Sequence, residues 1–158
     1  MKEKILLLLL YFLPFTGSLT AQVPISILRN TDMNFGTIAV SSGAGTVLLS
    51  ASGSRTPSGG VMLPALTGTV TAAQFTVSGQ ADYTYAITLP ATNFILYESG
   101  AGPATMVVNA FTSTPSGIST LLGGTATVLV GATLHVGASQ AAGSYTNAAG
   151  FEVTVNYN

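Results

Sequence analysis

From residue 22 to the end, apolar and small polar side chains alternate in short runs, and clusters of Gly, Ser, Asn and Pro separate the runs. A two-residue period puts successive side chains on opposite faces of an extended chain, so it describes half-buried strands and cannot form one stripe along a helix. The runs are Ile25–Arg29, Gly45–Ser50, Gly60–Leu63, Gln74–Ser78, Tyr83–Leu89, Phe94–Tyr97, Thr105–Phe111, Thr125–Val136 and Gly150–Tyr157, which predicts about nine strands. Within one run Tyr83, Tyr85, Ile87 and Leu89 share a face opposite Thr84, Ala86 and Thr88, and Pro90 stops it. In the last run Phe151, Val153, Val155 and Tyr157 lie opposite Glu152, Thr154, Asn156 and Asn158. Turn signals at Ser52-Gly53-Ser54, Ser58-Gly59-Gly60, Ser99-Gly100-Ala101-Gly102-Pro103 and Gly123-Gly124 fit an all-β, two-sheet immunoglobulin-like β-sandwich better than a closed barrel. Residues 51–60 and 98–104 read as exposed loops, where such a scaffold carries binding sites.

The first 21 residues have a different pattern. Lys2 and Lys4 precede an apolar run from Ile5 to Phe15, and the small-residue stretch Gly17–Ala21 follows. That run holds about 11 residues where a membrane-spanning helix needs roughly 20, so the pattern predicts a secretion signal over 1–21, cut after Ala21. One domain over 22–158 is then expected, in the periplasm, on the outer cell surface or secreted. It carries no second long apolar run to cross a bilayer and no cysteine to take a lipid or form a bridge. Its stability rests on the core and the strand ladders.

Charge and chemistry narrow the function. Residues 22–158 keep Arg29 and Arg55 against Asp32, Asp82, Glu98 and Glu152, a formal net of 2 − 4 = −2, with no lysine. Two separated arginines make no basic patch, which argues against nucleic-acid and anionic-membrane partners. With one histidine, no cysteine and no Gly-x-Ser-x-Gly elbow, the inventory does not suggest an enzyme and calls for no cofactor or metal. His135 follows Leu134 in a run whose buried face is Val128, Val130, Leu134 and Val136, so it reads as a solvated strand histidine. Asn30-Thr31-Asp32-Met33-Asn34 lacks the glycine and closing glutamate of a calcium loop and reads as an Asx turn. Low charge on a strand-rich chain is an aggregation hazard unless assembly is intended.

Several segments together resemble one family: Asn34-Phe35-Gly36-Thr37-Ile38, Ser54–Val61, Ala73–Gly79, Tyr83–Pro90, Leu134–Ala138, Gln140–Tyr145 and the ending Val153-Thr154-Val155-Asn156-Tyr157-Asn158. They resemble bacterial domain-of-unknown-function family 4402, in order across nearly all of 22–158, and more distantly spore coat protein U-like and fimbrial subunit domains. The resemblance implies an exported β-sandwich of the Gram-negative envelope, and it supplies no catalytic residues. The ending is similar to the final strand of chaperone–usher fimbrial subunits, with Tyr157 as the penultimate aromatic.

Two kinds of site follow. Val23, Ile25 and Ile27 alternate behind Pro24, and with Phe151, Val153, Val155 and Tyr157 they are the candidate residues for assembly by strand addition, either to copies of this chain or to other envelope proteins. Burying three such side chains contributes roughly 5 to 8 kcal/mol before ordering costs. Residues 23–29 equally suit the first strand of their own sandwich. The other reading is a monomeric glycan- or protein-binding module using loop residues Arg55, Tyr97 and Glu98. The leading expectation is a structural or adhesive, fimbria-like surface protein.

Overall fold

The computed structural model of the protein describes residues 21–100 and 102–158. The leader expected over 1–21 therefore lies outside the described residues except for Ala21. The described chain is all-β, with eleven strands: β1 (Ser26–Thr31), β2 (Ala39–Leu49), β3 (Arg55–Met62), β4 (Ala73–Ser78), β5 (Thr84–Thr88), β6 (Phe94–Glu98), β7 (Thr105–Thr114), β8 (Ile118–Thr120), β9 (Thr125–Val136), β10 (Tyr145–Thr146) and β11 (Thr154–Tyr157). Two exceed the expected number, β8 and β10, and at three and two residues they are too short for alternation to mark them.

The strands form two sheets, one of eight strands and one of three in the order β11-β5-β8. The long strand β9 organises the larger sheet. One of its edges pairs with β7, while the other is shared: Thr125–Val130 pairs with β4 and Ala132–Val136 with β2. Strand β1 extends the β4 branch, β3 extends the β2 branch, and β6 and β10 follow β7. The fork falls at Gly131, which is buried, and a Cβ there would overlap the Leu49 carbonyl. Only glycine lets the two strands part so close to β9. Opposite the fork, β7 carries a bulge between Asn109 and Thr112, with Ala110 at a φ of 49°. The extra residue re-aims the strand, and Phe111 packs against both core clusters.

The first of those clusters lies between the sheets and contains Phe75, Val77, Val128 and Val130 from the larger sheet with Tyr85 and Val155 from the smaller and Val153 just ahead of β11. The second lies under β2, β3, β7 and β9, where Val47, Leu49, Val61, Val108 and Leu134 meet Phe35. Among the described residues no strand layer covers this half; Met33, Ile38, Leu63 and Val70 from the connecting segments do so. The fold is thus a two-sheet β-sandwich in one half, and a single sheet closed by connections in the other.

Residues 51–60, expected as a loop, are mostly strand. The turn ends at Ser54, and Arg55–Gly60 opens β3, paired with β2 from Leu49↔Arg55 to Gly45↔Gly59. Pro57, Gly59 and Gly60 are turn residues by type, but β3 pairs on one side only, and an edge strand tolerates a residue without an N–H. The Phe-Gly-Thr segment also has a physical reason. Asn34 Oδ1 accepts the Gly36 N–H at 2.8 Å, an Asx turn, and Gly36 has a φ of 68°. Arg55 Nη1 donates to the Phe35 and Thr37 carbonyls at 2.6 and 2.9 Å, holding Phe35 in the core.

Candidate functional site

The seven residues expected to serve strand addition meet along one seam. Strands β1 and β11, from the two ends of the described chain, are outermost strands of different sheets on the same side of the sandwich. They run in opposite directions without pairing. At one end Tyr157 Oη donates to the Val23 carbonyl at 2.5 Å and accepts the Gln80 N–H at 2.5 Å, while Val23 N–H donates to Gln80 Oε1 at 3.3 Å. The Tyr157 ring meets that of Tyr83 edge-on at 5.7 Å. At the other end Arg29, in a 3.0 Å ion pair with Asp32, lies over Gly150. Between them Ile25 and Ile27 pack, half-buried, on the cluster that contains Val153 and Val155.

Phe151 plugs the seam from inside. Its ring lies 4.9 Å from Phe111 and 6.1 Å from both Phe75 and Phe94, so one side chain joins strands of both core clusters. Residues 26–31 pair with β4 through Ser26↔Ser78, Ile27↔Val77, Leu28↔Thr76 and Arg29↔Phe75. Of the two readings of the N-terminal segment, the first strand of the chain's own sheet is the one the structure shows. Val23, ahead of that strand, is 49% exposed.

The free edges differ in how they are guarded. Pro57 interrupts the edge of β3, and β8 and β10 are too short to template a partner. Pro24 precedes β1, and a register shift between Arg29 and Thr31 distorts its far end. Strand β11 has no proline, no charged residue and no bulge, and its one ladder is to β5. Asn158 N–H donates to the Thr84 carbonyl at 3.1 Å, so by alternation the N–H groups of Val155 and Tyr157 point away from β5.

The expected binding trio does not converge. Arg55 sits at the start of β3, bonded inward to carbonyls, whereas Tyr97 and Glu98 end β6, with β2, β9 and β7 in between. Arg55 is level with Leu49, while Tyr97 pairs with Thr105 beyond the His135 level, at the opposite end of the sheet. The Glu98 carboxylate lies against Gly102 and Gly143, and Tyr97 is 56% exposed.

His135 points outward, as the alternation predicts, and Asn109 is its partner, with Nε2 2.8 Å from Oδ1. Asn109 Nδ2 donates in turn to Asn93 Oδ1 at 3.1 Å. Neither asparagine stood out in the sequence, because the Asn109 position depends on the register of β7 against β9. Among the described residues no group of three or more His, Cys, Asp or Glu is placed to hold a metal ion. No helix among them is long and apolar enough to cross a membrane.

The family-like segment 140–145, with Asn147 after it, holds the loop before β11. Gln140 Nε2 donates to Tyr145 Oη at 2.9 Å, Tyr145 Oη donates to the Ala141 carbonyl at 2.8 Å, and Asn147 Nδ2 donates to the Ile95 carbonyl at 2.7 Å. A family model described as Domain of unknown function (DUF4402) matches residues 25–157. Comparison with curated proteins and with solved structures gave no match to either.

Proposed function

The chain belongs to the family described as Domain of unknown function (DUF4402), and from that premise we propose that it is an exported structural or adhesive subunit of a Gram-negative cell envelope. It has no catalytic activity in this reading, and it assembles with copies of itself or with other envelope proteins by strand addition. The observation that supports this most is the bare edge of β11. Among the described residues it is the longest outer edge without a proline, a charge or a bulge, in a chain whose surface has little charge to keep such edges apart.

An incoming extended segment would take the outward N–H groups of Val155 and Tyr157, and its alternate side chains would reach the apolar side chains of the seam. Main-chain bonds supply adhesion of this kind with few side-chain requirements, which suits a fibre or coat. A non-catalytic role is supported by the dispersal of the titratable groups: His135 is engaged by an amide, and Arg29 and Asp32 by one another.

Electron microscopy of producing cells with and without this chain, with labelling against residues 22–158, tests the proposal. Surface material that carries the label and disappears with the chain is the expected result. Label confined to the cell interior, or surface material unchanged by the deletion, would overturn it.

A further inference from the structure

A second surface, remote from the β11 edge, has the chemistry of a ligand site. Among the described residues the outer face of the β2-β9-β7-β6 branch has no covering layer, and its strands place no Asp, Glu, Lys or Arg there; its side chains include Thr46, Thr105, Asn109, His135, Val107 and Tyr97. At one end of the face a shallow, largely open groove of about 530 Å³ lies between Thr46, Thr105, Val107, His135, Gly137 and Gln140.

Three observations narrow the ligand class. The polar groups at the groove are hydroxyls, an imidazole and an amide, hydrogen-bonding groups of the kind that match hydroxyls. They are held in place. Gln140 accepts the Gly137 N–H at 3.1 Å and donates to the Thr105 carbonyl at 3.3 Å and to Tyr145 Oη at 2.9 Å. His135 is fixed through Asn109 and Asn93: Asn109 Nδ2 donates to Asn93 Oδ1, so Asn109 Oδ1 accepts from His135 Nε2–H. Beside Thr105, its register partner Tyr97 presents a largely exposed ring on the same face. A flat ring next to fixed donors and acceptors suits a molecule with an apolar C–H face and a hydroxyl rim. The absence of fixed charge disfavours acidic and basic ligands, whose desolvation would have no counter-charge.

We propose that this groove binds a neutral hexopyranose oligosaccharide, with Tyr97 stacking on a sugar ring and His135, Thr46, Thr105 and Gln140 taking its hydroxyls. Binding uses the sheet face and leaves the β11 edge free, so it does not depend on the assembly reading.

The test is amide-resolved NMR of residues 22–158 titrated with cellohexaose and chitohexaose, with hexagalacturonate as the acidic comparator. The expected result is saturable shifts for one of the neutral sugars, confined to the strands around Thr46, Tyr97, Thr105 and His135. Tyr97→Ala and Asn109→Leu should each weaken binding about tenfold, and Asn156→Lys, on the remote edge, should leave it unchanged. Folding of the two site variants is checked by their unshifted core resonances. No shift with either neutral sugar at millimolar concentration, or an equal response to hexagalacturonate, would overturn the proposal. So would concentration-dependent shifts of these same residues without sugar, which would mark the face as a contact between copies.

Discussion

Strands β1 and β11 face each other across one seam, yet they carry opposite instructions. β1 is the guarded member: Pro24 precedes it, its far end is distorted, and its one ladder, to β4, fixes it in the larger sheet. β11 is bare along its outer edge, but the run that leads through it is the better buried, with Val153 and Val155 at 7% exposure and Phe151 at the meeting point of three other phenylalanines. The seam is thus sealed by side chains of residues 151–157, the run that ends in β11, and protected by backbone features of β1. Sealing and protection can therefore be broken separately.

The largest expected effect is on sealing. Phe151 is half-buried but touches the rings of Phe75, Phe94 and Phe111, and Phe151→Ala should cost about 2–4 kcal/mol, read as a lowered urea midpoint. On the other side of the seam Ile27→Ala, half-buried, should cost only about 1–2 kcal/mol in the same measurement. If the β1 variant proves the more damaging, the assignment of sealing to residues 151–157 is wrong. Tyr157→Phe keeps the ring and its contact with Tyr83 but loses the hydroxyl that ties Val23 to Gln80. A loss of about 1 kcal/mol and faster amide exchange at Gln80 are expected. The smallest effect on stability belongs to Asn156→Lys, whose side chain is solvent-facing on the bare edge; the urea midpoint should move by less than about 0.5 kcal/mol equivalent.

Much of this architecture is legible in the alternation. The inward face of β9, the Tyr85 face of β5 and the complete alternation of Phe151–Asn158 all follow from a period of two, and so does the outward placement of His135. What alternation cannot carry is pairing. The fork of β9 at Gly131 depends on two strands distant in sequence sharing one edge, and a glycine within a run of apolar residues reads only as a weak point. Residues 51–60 were misplaced for a related reason: Pro57 and two glycines are turn residues by type and edge residues by position. The seam was half legible. The seven apolar residues were identifiable from their spacing, but that β1 would be taken up by β4 was one of two readings. The Arg55, Tyr97 and Glu98 grouping rested on loop composition alone, and the register separates Arg55 from the other two. The Asn93–Asn109–His135 row is invisible in sequence because it crosses strands.

The bare edge of β11 as the assembly surface is tested most directly by light scattering of residues 22–158 across a concentration series, beside Asn156→Lys and Leu28→Lys. Leu28 is 65% exposed on the outer face of β1 and is a matched site for a new charge on the guarded strand. The account predicts that the unaltered protein and Leu28→Lys grow into assemblies as concentration rises, while Asn156→Lys remains a folded single chain. Assembly of all three alike, or of none, would contradict it.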